Sequence, residues 1–223
     1  MKRLFNLLKG DILQQYKYGF YWLYLFVTLL YLIALYFFPD GWKTTVGRVI
    51  VLTDPMLFGY MFIGAIILFE RSEKVTNALS VMPIHPIEYL FSKLISLGLI
   101  SLLSSEVIML GGGVPQHCFW TPFGILAGSF LFTMVGMIQA CRISTLNGFI
   151  MWMIPTMLIA ILPPILYLCG IDGWWQQLMP GTAILQIISN NHFLWLPSLV
   201  LSVYLLLAFW LAMKNIKTLL VNE

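Results

Sequence analysis

Long apolar stretches alternate with short polar ones along nearly the whole chain. Apolar runs long enough to cross a membrane lie at about residues 20–38, 49–69, 94–114, 122–140, 148–169 and 193–213. A membrane-spanning helix needs about 20 predominantly apolar residues. The pattern therefore predicts an all-α membrane protein with six transmembrane helices in a domain at residues 20–213, followed by a tail at 214–223.

The first residues, 1–19, carry a helical pattern instead of a continuous apolar run. Apolar side chains recur there at helical spacing, at Leu4, Leu7, Leu8, Ile12 and Leu13. The polar side chains, which are mainly basic, fall mostly on another face. This arrangement predicts an amphipathic helix that lies in the membrane interface. A short soluble turn before the first span is the alternative.

The region between the fifth and sixth apolar runs, residues 170–192, is apolar only in part. Its apolar piece at 182–188 is too short to cross a bilayer, which is typical of a re-entrant or interfacial segment. The fifth run contains Pro155, Pro163 and Pro164, and proline removes a backbone donor from a helix. We therefore expect an outer re-entrant segment, and a fifth span that is bent or broken.

The composition agrees with a chain that is surrounded by lipid. The 223 residues are 60% hydrophobic and 9% charged, whereas soluble domains carry roughly 25% charged residues. No polar stretch reaches the length of about 50 residues that a separate domain needs. A soluble ATP-hydrolysing module would therefore have to reside on another chain. The composition suggests no nucleic-acid partner.

The basic residues are distributed unevenly between the two ends of the predicted bundle. Six spans put both termini on one side, and that side collects ten of the twelve lysines and arginines. The other side keeps Lys43 and Arg48. Because basic loops stay in the cytoplasm, both termini and the connection between the second and third spans are predicted to be cytoplasmic.

That connection, residues 70–93, is the longest polar interruption of the chain and is called the polar segment below. It reads ERSEKVTNALSVMPIHPIEYLFSK. Glu70 and Lys74 have the spacing of a helix-stabilising ion pair, and Pro83 and Pro86 end the helix that they would support. A short helix at 70–80, lying along the membrane, would transmit force from a soluble partner. A plain solvated loop is the alternative.

The polar segment resembles the coupling segment of type-two ABC exporter permeases. That family has an acid and a base after the second span, a short helix ending in leucines, a Pro-x-x-Pro motif and a lysine that opens the third span. The matching positions are Glu70, Arg71, Leu79, Pro83, Pro86 and Lys93. The chain departs from the family at 75–77, where an acid–Gly–Thr sequence is common. The first helix, the six spans and the outer sequence LMPGTAILQII extend the resemblance along the chain, and its short single-domain form is similar to fluoroquinolone-export permeases.

The resemblance implies a permease subunit of the bacterial plasma membrane that exports an amphipathic or hydrophobic substrate, such as a fluoroquinolone. Two permease subunits, identical or related, would work with two ATP-binding ABC subunits. Those subunits would carry the ATP and Mg²⁺, and this chain would need no cofactor of its own. The polar segment would sit in a groove of the ATPase. The residues expected to couple to it are Glu70, Arg71, Glu73, Lys74, Asn77, Leu79 and Pro83.

The candidates for the substrate path are Glu106, Met61, Met153 and Pro155. Glu106 lies deep in the third span, where ionisable residues are rare and usually functional. It would bind a cationic substrate or pair with another polar residue of the bundle. The resemblance implies that the second and fifth spans, which hold the other three candidates, line the central path.

Catalytic and metal-binding motifs do not appear in the sequence. There is no GxxxxGK[ST] phosphate loop, no HExxH helix and no GxSxG turn. The cysteines and histidines have no metal-ligand spacing, although Cys118 and Cys169, both predicted on the outer side, allow a disulfide. Two alternatives to an exporter remain. One is an intramembrane enzyme that uses Glu106 with Asp54 or a histidine, and the other is a membrane scaffold or immunity protein.

Overall fold

The computed structural model describes residues 2–73, 85–171, 173–189 and 194–222. Across these ranges the chain is helical and contains no β-strand, as the sequence predicts. The helices are α1 (Lys2–Lys17), α2 (Phe20–Phe37), α3 (Asp40–Ser72), α4 (Pro86–Gly111), α5 (Trp120–Arg142), α6 (Leu146–Leu168), α7 (Pro180–Ser189) and α8 (Trp195–Asn222). A 3-10 turn, Gln176–Leu178, precedes α7.

Six of these helices are long and apolar enough to cross a membrane, which confirms the predicted number of spans. They are α2, α3, α4, α5, α6 and α8. Of the most apolar 18-residue stretch of each helix, 64% is buried within the protein in α3, 56% in α4 and 67% in α5. The corresponding shares in α2, α6 and α8 are 22%, 28% and 28%. Helices α3, α4 and α5 therefore form the centre of the bundle, and the other three present apolar side chains outward, as expected for contact with lipid.

The central pair of helices, α3 and α5, approach closely because a glycine lies between them. A Cβ atom added to Gly136 of α5 would lie 2.6 Å from the backbone oxygen of Tyr60 in α3. Small residues at such positions let two membrane helices pack backbone against backbone. This contact fixes the distance between the two helices on which most of the bundle is built.

Two helices extend beyond the apolar runs that predicted them. Helix α3 begins at Asp40, so its first turns are formed by residues 40–48, which precede the apolar run at 49–69 that predicted this span. Lys43 Nζ lies 2.7 Å from Asp40 Oδ1, and an acidic residue in the first turn favours helix formation. Helix α8 likewise continues to Asn222, through residues that were predicted to form a tail.

Helix α6 runs without interruption from Leu146 to Leu168, although it contains Pro155, Pro163 and Pro164. Of the two predicted outcomes, a bent or a broken span, the structure excludes the broken one.

The connection between α6 and α8 contains the short helix α7, which is about 15 Å long and cannot cross a bilayer. Every side chain from 181 to 188 is buried, and α7 packs against α5, α6 and α8. Because α7 is enclosed by three helices that have spanning length, it lies inside the bundle instead of on a surface loop.

Candidate functional site

The polar segment begins in the last turn of α3, and its first residue points into the protein. Glu70 is only 2% exposed. Its carboxylate faces α4, because both of its partners are on that helix. The structure therefore places the first residue of the polar segment within the helical bundle.

Lys93, near the start of α4, is the centre of a buried group of charges. Its Nζ atom lies 2.6 Å from Glu70 Oε1 and 2.8 Å from Asp11 Oδ1. The Lys93 side chain is 1% exposed. The hydroxyl of Tyr89, one turn earlier on α4, donates a hydrogen bond to Glu70 Oε2 at 2.6 Å. We call Asp11, Glu70, Tyr89 and Lys93 the ion cluster.

The ion cluster joins three helices, because Asp11 belongs to α1, Glu70 to α3 and Lys93 to α4. One ammonium group faces two carboxylates, so none of the three charges is left without an opposite partner. Removing one member of a buried ion pair typically costs about 3–5 kcal/mol, since it leaves an uncompensated charge inside the protein. The cluster therefore holds the three helices in one arrangement.

A second contact extends the junction between α1 and α4. Gln15 Nε2 donates to Ser96 Oγ at 2.8 Å, and both side chains are buried. The polar side chains Asp11 and Gln15 thus face α4, while Phe5 and Leu13 are exposed. The amphipathic helix that the sequence predicts is present. Part of its polar face is directed at the bundle, and its location in the membrane interface stays a prediction.

Arg71 connects the end of α3 to the end of α5. Its Nη1 atom donates to the carbonyl oxygens of Ala140 at 3.2 Å and Ile143 at 3.0 Å, and Nη2 donates to that of Cys141 at 2.8 Å. These carbonyls lie at the C-terminal end of α5, where backbone acceptors lack intrahelical donors and the helix dipole is negative. Adjacent residues Glu70 and Arg71 therefore fix the end of α3 to α4 and α5, and Lys93 extends the connection to α1 through Asp11.

Glu73 is exposed and directly follows α3. It accepts a hydrogen bond from the Tyr18 hydroxyl at 3.0 Å. Burial raises the pKa of the Tyr18 phenol, a hydrogen bond from Gln14 lowers it, and the Glu73 carboxylate raises it further. Tyr18 therefore remains a protonated donor at neutral pH, and it links the turn after α1 to the start of the polar segment.

The other predicted coupling residues, Lys74, Asn77, Leu79 and Pro83, lie outside the described residues. Sequence analysis did not identify Asp11, Gln15 or Tyr89 as members of a site. A signal for them exists, because Asp11 and Gln15 are four residues apart on α1, and Tyr89 and Lys93 are four residues apart on α4. Residues at that spacing share a helix face, and a lysine within an apolar helix requires a buried partner.

The residues predicted for the substrate path lie in separate places. Met153 lines an apolar cleft of about 350 Å³ along α6, together with Met157 and Ile161. Pro155 is exposed on the same helix, and Met61 is 43% exposed on α3. Glu106 lines a different cavity near the far end of α4, which also contains Gln116, His117 and Cys118. The structure therefore does not bring the four candidates together within one chain.

A chain of polar contacts crosses the bundle between α3, α5 and α6. The Tyr60 hydroxyl donates to Gln139 Oε1, and Gln139 Nε2 donates to Thr156 Oγ1 at 2.7 Å. The Tyr60 ring also stacks on Phe149, with ring centroids 5.4 Å apart. Helix α6 is therefore tied to the central pair by side-chain hydrogen bonds as well as by packing.

The three cysteines are free, so Cys118 and Cys169, which are both exposed, do not form the disulfide that the sequence allowed. Among the residues that the structure describes, no group of three His, Cys, Asp or Glu side chains has an arrangement suited to a metal ion.

Six apolar spanning helices, with a polar connection anchored by buried charges at one end, define a multi-pass α-helical membrane protein. Comparison with known proteins identifies its family. The chain belongs to the Fluoroquinolones export permease protein family, which matches it over residues 2–212. This match confirms the resemblance to fluoroquinolone-export permeases and indicates a role in transport.

Two curated relatives support the same assignment. Both are fluoroquinolones export permease proteins of Mycobacterium tuberculosis, from strain CDC 1551 / Oshkosh and from strain ATCC 25618 / H37Rv. Each is 24% identical to this chain over 172 residues, which is 77% of this chain and 73% of the relative. The similarity therefore extends over most of both proteins.

Proposed function

We propose that this chain is the membrane subunit of an ATP-driven exporter. A separate ATP-binding subunit, which carries the ATP and Mg²⁺, docks on the polar segment, and a second permease subunit completes the path. Both termini lie in the cytoplasm and the spans lie in a bacterial plasma membrane. Membership of an export permease family supports this proposal, and so does the excess of basic residues on the side of the termini.

The observation that carries the proposal is the way in which the polar segment is anchored. Glu70 and Arg71 at its start, and Lys93 at its end, contact α1, α4 and α5 within 3.2 Å. Close-packed protein interiors transmit displacement with little loss. A force applied to residues 74–84 therefore reaches three further helices directly. The same contacts indicate that Glu70 and Arg71 act within this chain. We propose that Glu73 and residues 74–84 meet the ATPase.

We further propose that the exported substrate is amphipathic or hydrophobic and moves between two permease subunits. The cleft along α6 is lined by Met153, Met157 and neighbouring aliphatic side chains, and methionine adapts its shape to differing apolar ligands. Met61 on the outward face of α3 belongs to the same path in the assembled dimer. The name of the relatives makes a fluoroquinolone the first compound to test.

The test is co-purification of an ATPase from detergent-solubilised membranes of the native host. The native chain is compared with a variant in which residues 74–80, KVTNALS, are permuted to a different order of the same residues. This change leaves composition, charge and the contacts of Glu70, Arg71, Glu73 and Lys93 unaltered. Membrane insertion and thermal unfolding of the two chains serve as the control for folding.

The proposal predicts that an ATP-binding subunit co-purifies with the native chain and is reduced at least tenfold with the permuted one. It is contradicted if the same amount of ATPase accompanies both chains, because docking would then not involve the polar segment. It is also contradicted if no ATPase accompanies the native chain, since an ATP-driven exporter of this kind needs a separate ATP-binding subunit.

A further inference from the structure

A polar cavity lies at the end of the bundle opposite the polar segment. It has a volume of about 530 Å³ and is lined by Leu102, Glu106, Gln116, His117, Cys118 and Pro122. Leu102 and Glu106 belong to α4, Pro122 opens α5, and the other three belong to the connection between them. Glu106 follows Lys93 by thirteen residues on the same helix, which places the cavity about 20 Å from the ion cluster.

Two acceptor atoms in this cavity have no donor. Glu106 Oε1 and Gln116 Oε1 are both buried, and neither has a hydrogen-bond partner within the described part of the chain. Unpaired buried acceptors are uncommon in native proteins, because each loses its bonds to water without replacement. Both atoms border the cavity, so an N–H donor bound there would complete them.

We propose that this cavity binds an organic cation that carries N–H groups, such as a protonated primary amine. The Glu106 carboxylate supplies the negative charge, and the Glu106 and Gln116 oxygens accept two N–H hydrogen bonds. Leu102 and Pro122 supply an apolar wall for the carbon skeleton of the ligand. A charge-assisted pair of this kind is stronger than a neutral hydrogen bond, and it also fixes the orientation of the ligand.

A metal ion fits the same cavity less well. The cavity offers one carboxylate, and no three metal-ligating side chains converge anywhere in the described ranges. The inference does not depend on ATP-driven export, because it concerns a binding site on the isolated chain. Failure of one proposal therefore leaves the other standing.

The test measures binding of three probes to the purified chain in lipid nanodiscs, by saturation-transfer NMR at neutral pH. Benzylammonium carries both a positive charge and N–H donors. Benzyltrimethylammonium has the charge but no N–H group, and benzyl alcohol has no charge. We expect benzylammonium to bind at least tenfold more tightly than either of the other two.

Two variants and one matched control assign the binding to this cavity. Glu106→Gln keeps the shape of the side chain and removes its charge, so it should weaken benzylammonium binding at least tenfold. Gln116→Leu removes an acceptor and keeps the charge, so it should reduce the preference for benzylammonium over benzyltrimethylammonium. Asp40→Asn removes a carboxylate at the same end of the bundle, outside the cavity, and should leave binding unchanged.

Thermal unfolding of each variant shows that the comparison is made between folded proteins. Equal binding of the three probes would overturn the proposal, because it would indicate a non-selective apolar crevice. Unchanged benzylammonium binding in a folded Glu106→Gln protein would also overturn it. Tight binding of benzyltrimethylammonium alongside benzylammonium would exclude a role for the N–H donors.

Discussion

Lys93 and Glu70 are 23 positions apart in the sequence, and the Lys93 Nζ atom lies 2.6 Å from Glu70 Oε1. These two residues are the ends of the polar segment, so the segment is closed at its base by an ion pair between its own first and last members. Asp11 of α1 completes the same group. The cluster thus links the most polar part of the chain to three helices at one point.

The first prediction concerns the stability that Lys93 provides. Lys93→Met leaves two buried carboxylates without a cation, so it should lower the free energy of unfolding by about 3–5 kcal/mol. Thermal unfolding of the purified chain in detergent measures the change. Lys43→Met is the matched control, because it also removes a lysine that pairs with an acid, but the Asp40 partner is 95% exposed. Exposed pairs are screened by water and contribute little to stability, so this control should have a small effect. Equal effects of the two substitutions would contradict the importance of the buried cluster.

Most of the fold could be predicted from the sequence, because hydropathy detects apolar runs of spanning length. All six spans were found in this way, and so was the short helix between the last two. The ends of α3 and α8 were missed because a helix can continue through polar turns that lie beyond the apolar run. Hydropathy records the membrane environment of a residue and not the hydrogen bonds that extend a helix.

The site could be predicted less completely, since its contacts join distant positions. Asp11 and Lys93 are 82 residues apart, and no local pattern indicates that they meet. The sequence did single out Glu70 and Arg71, but as residues that would contact a partner. The burial of Glu70 and the contacts of the two residues with α4 and α5 depend on how the helices pack, which a sequence pattern does not describe.

The second prediction tests the role of Arg71 at the end of α5. Arg71→Lys replaces a planar group that reaches three carbonyl oxygens by a single ammonium, and the two side chains are not equivalent at such a site. Unfolding free energy should fall by about 1.5–3 kcal/mol, the range for hydrogen bonds to a charged group. Thermal unfolding again gives the measurement.

Arg142→Lys is the control for this substitution. The hydrogen bond in the structure runs from Arg142 Nε to the single acceptor Asn215 Oδ1, at 2.9 Å. A lysine can replace one such bond more readily than three. A cost for Arg71→Lys no greater than that for Arg142→Lys would mean that Arg71 does not act as the cap of α5.

The third prediction concerns the close approach of α3 and α5. Gly136→Ala adds a Cβ atom that would lie 2.6 Å from the Tyr60 backbone oxygen, so the two central helices must separate. Overpacking of this kind should destabilise the protein by about 1–3 kcal/mol. Gly10→Ala is the matched control, because no atom lies within 4 Å of its added Cβ. Alanine is the better helix former by about 1 kcal/mol, so the control should be neutral or stabilising. If both substitutions had the same effect on stability, the close approach of α3 and α5 would not depend on the absence of a side chain at Gly136.

The fourth prediction separates docking of the ATPase from transmission of its movement. Asp11→Asn removes the α1 carboxylate from the ion cluster and leaves the Lys93–Glu70 pair intact. Residues 74–84 are unchanged, so an ATP-binding subunit should co-purify as with the native chain. The helix α1 would lose its ion pair with α4, and we expect transport per ATP hydrolysed to fall several-fold.

The measurement is substrate efflux and ATP hydrolysis by the reconstituted complex, recorded in the same vesicles. Asp40→Asn provides the control, since it removes an exposed carboxylate, paired with Lys43, at the end of the bundle opposite the ion cluster. Loss of ATPase binding in Asp11→Asn would show that the cluster shapes the docking surface. An unchanged ratio of transport to hydrolysis would show that α1 takes no part in coupling. A reduced ratio with normal docking is the result that only a transmitting role of the cluster explains, because a purely structural defect would lower both activities together.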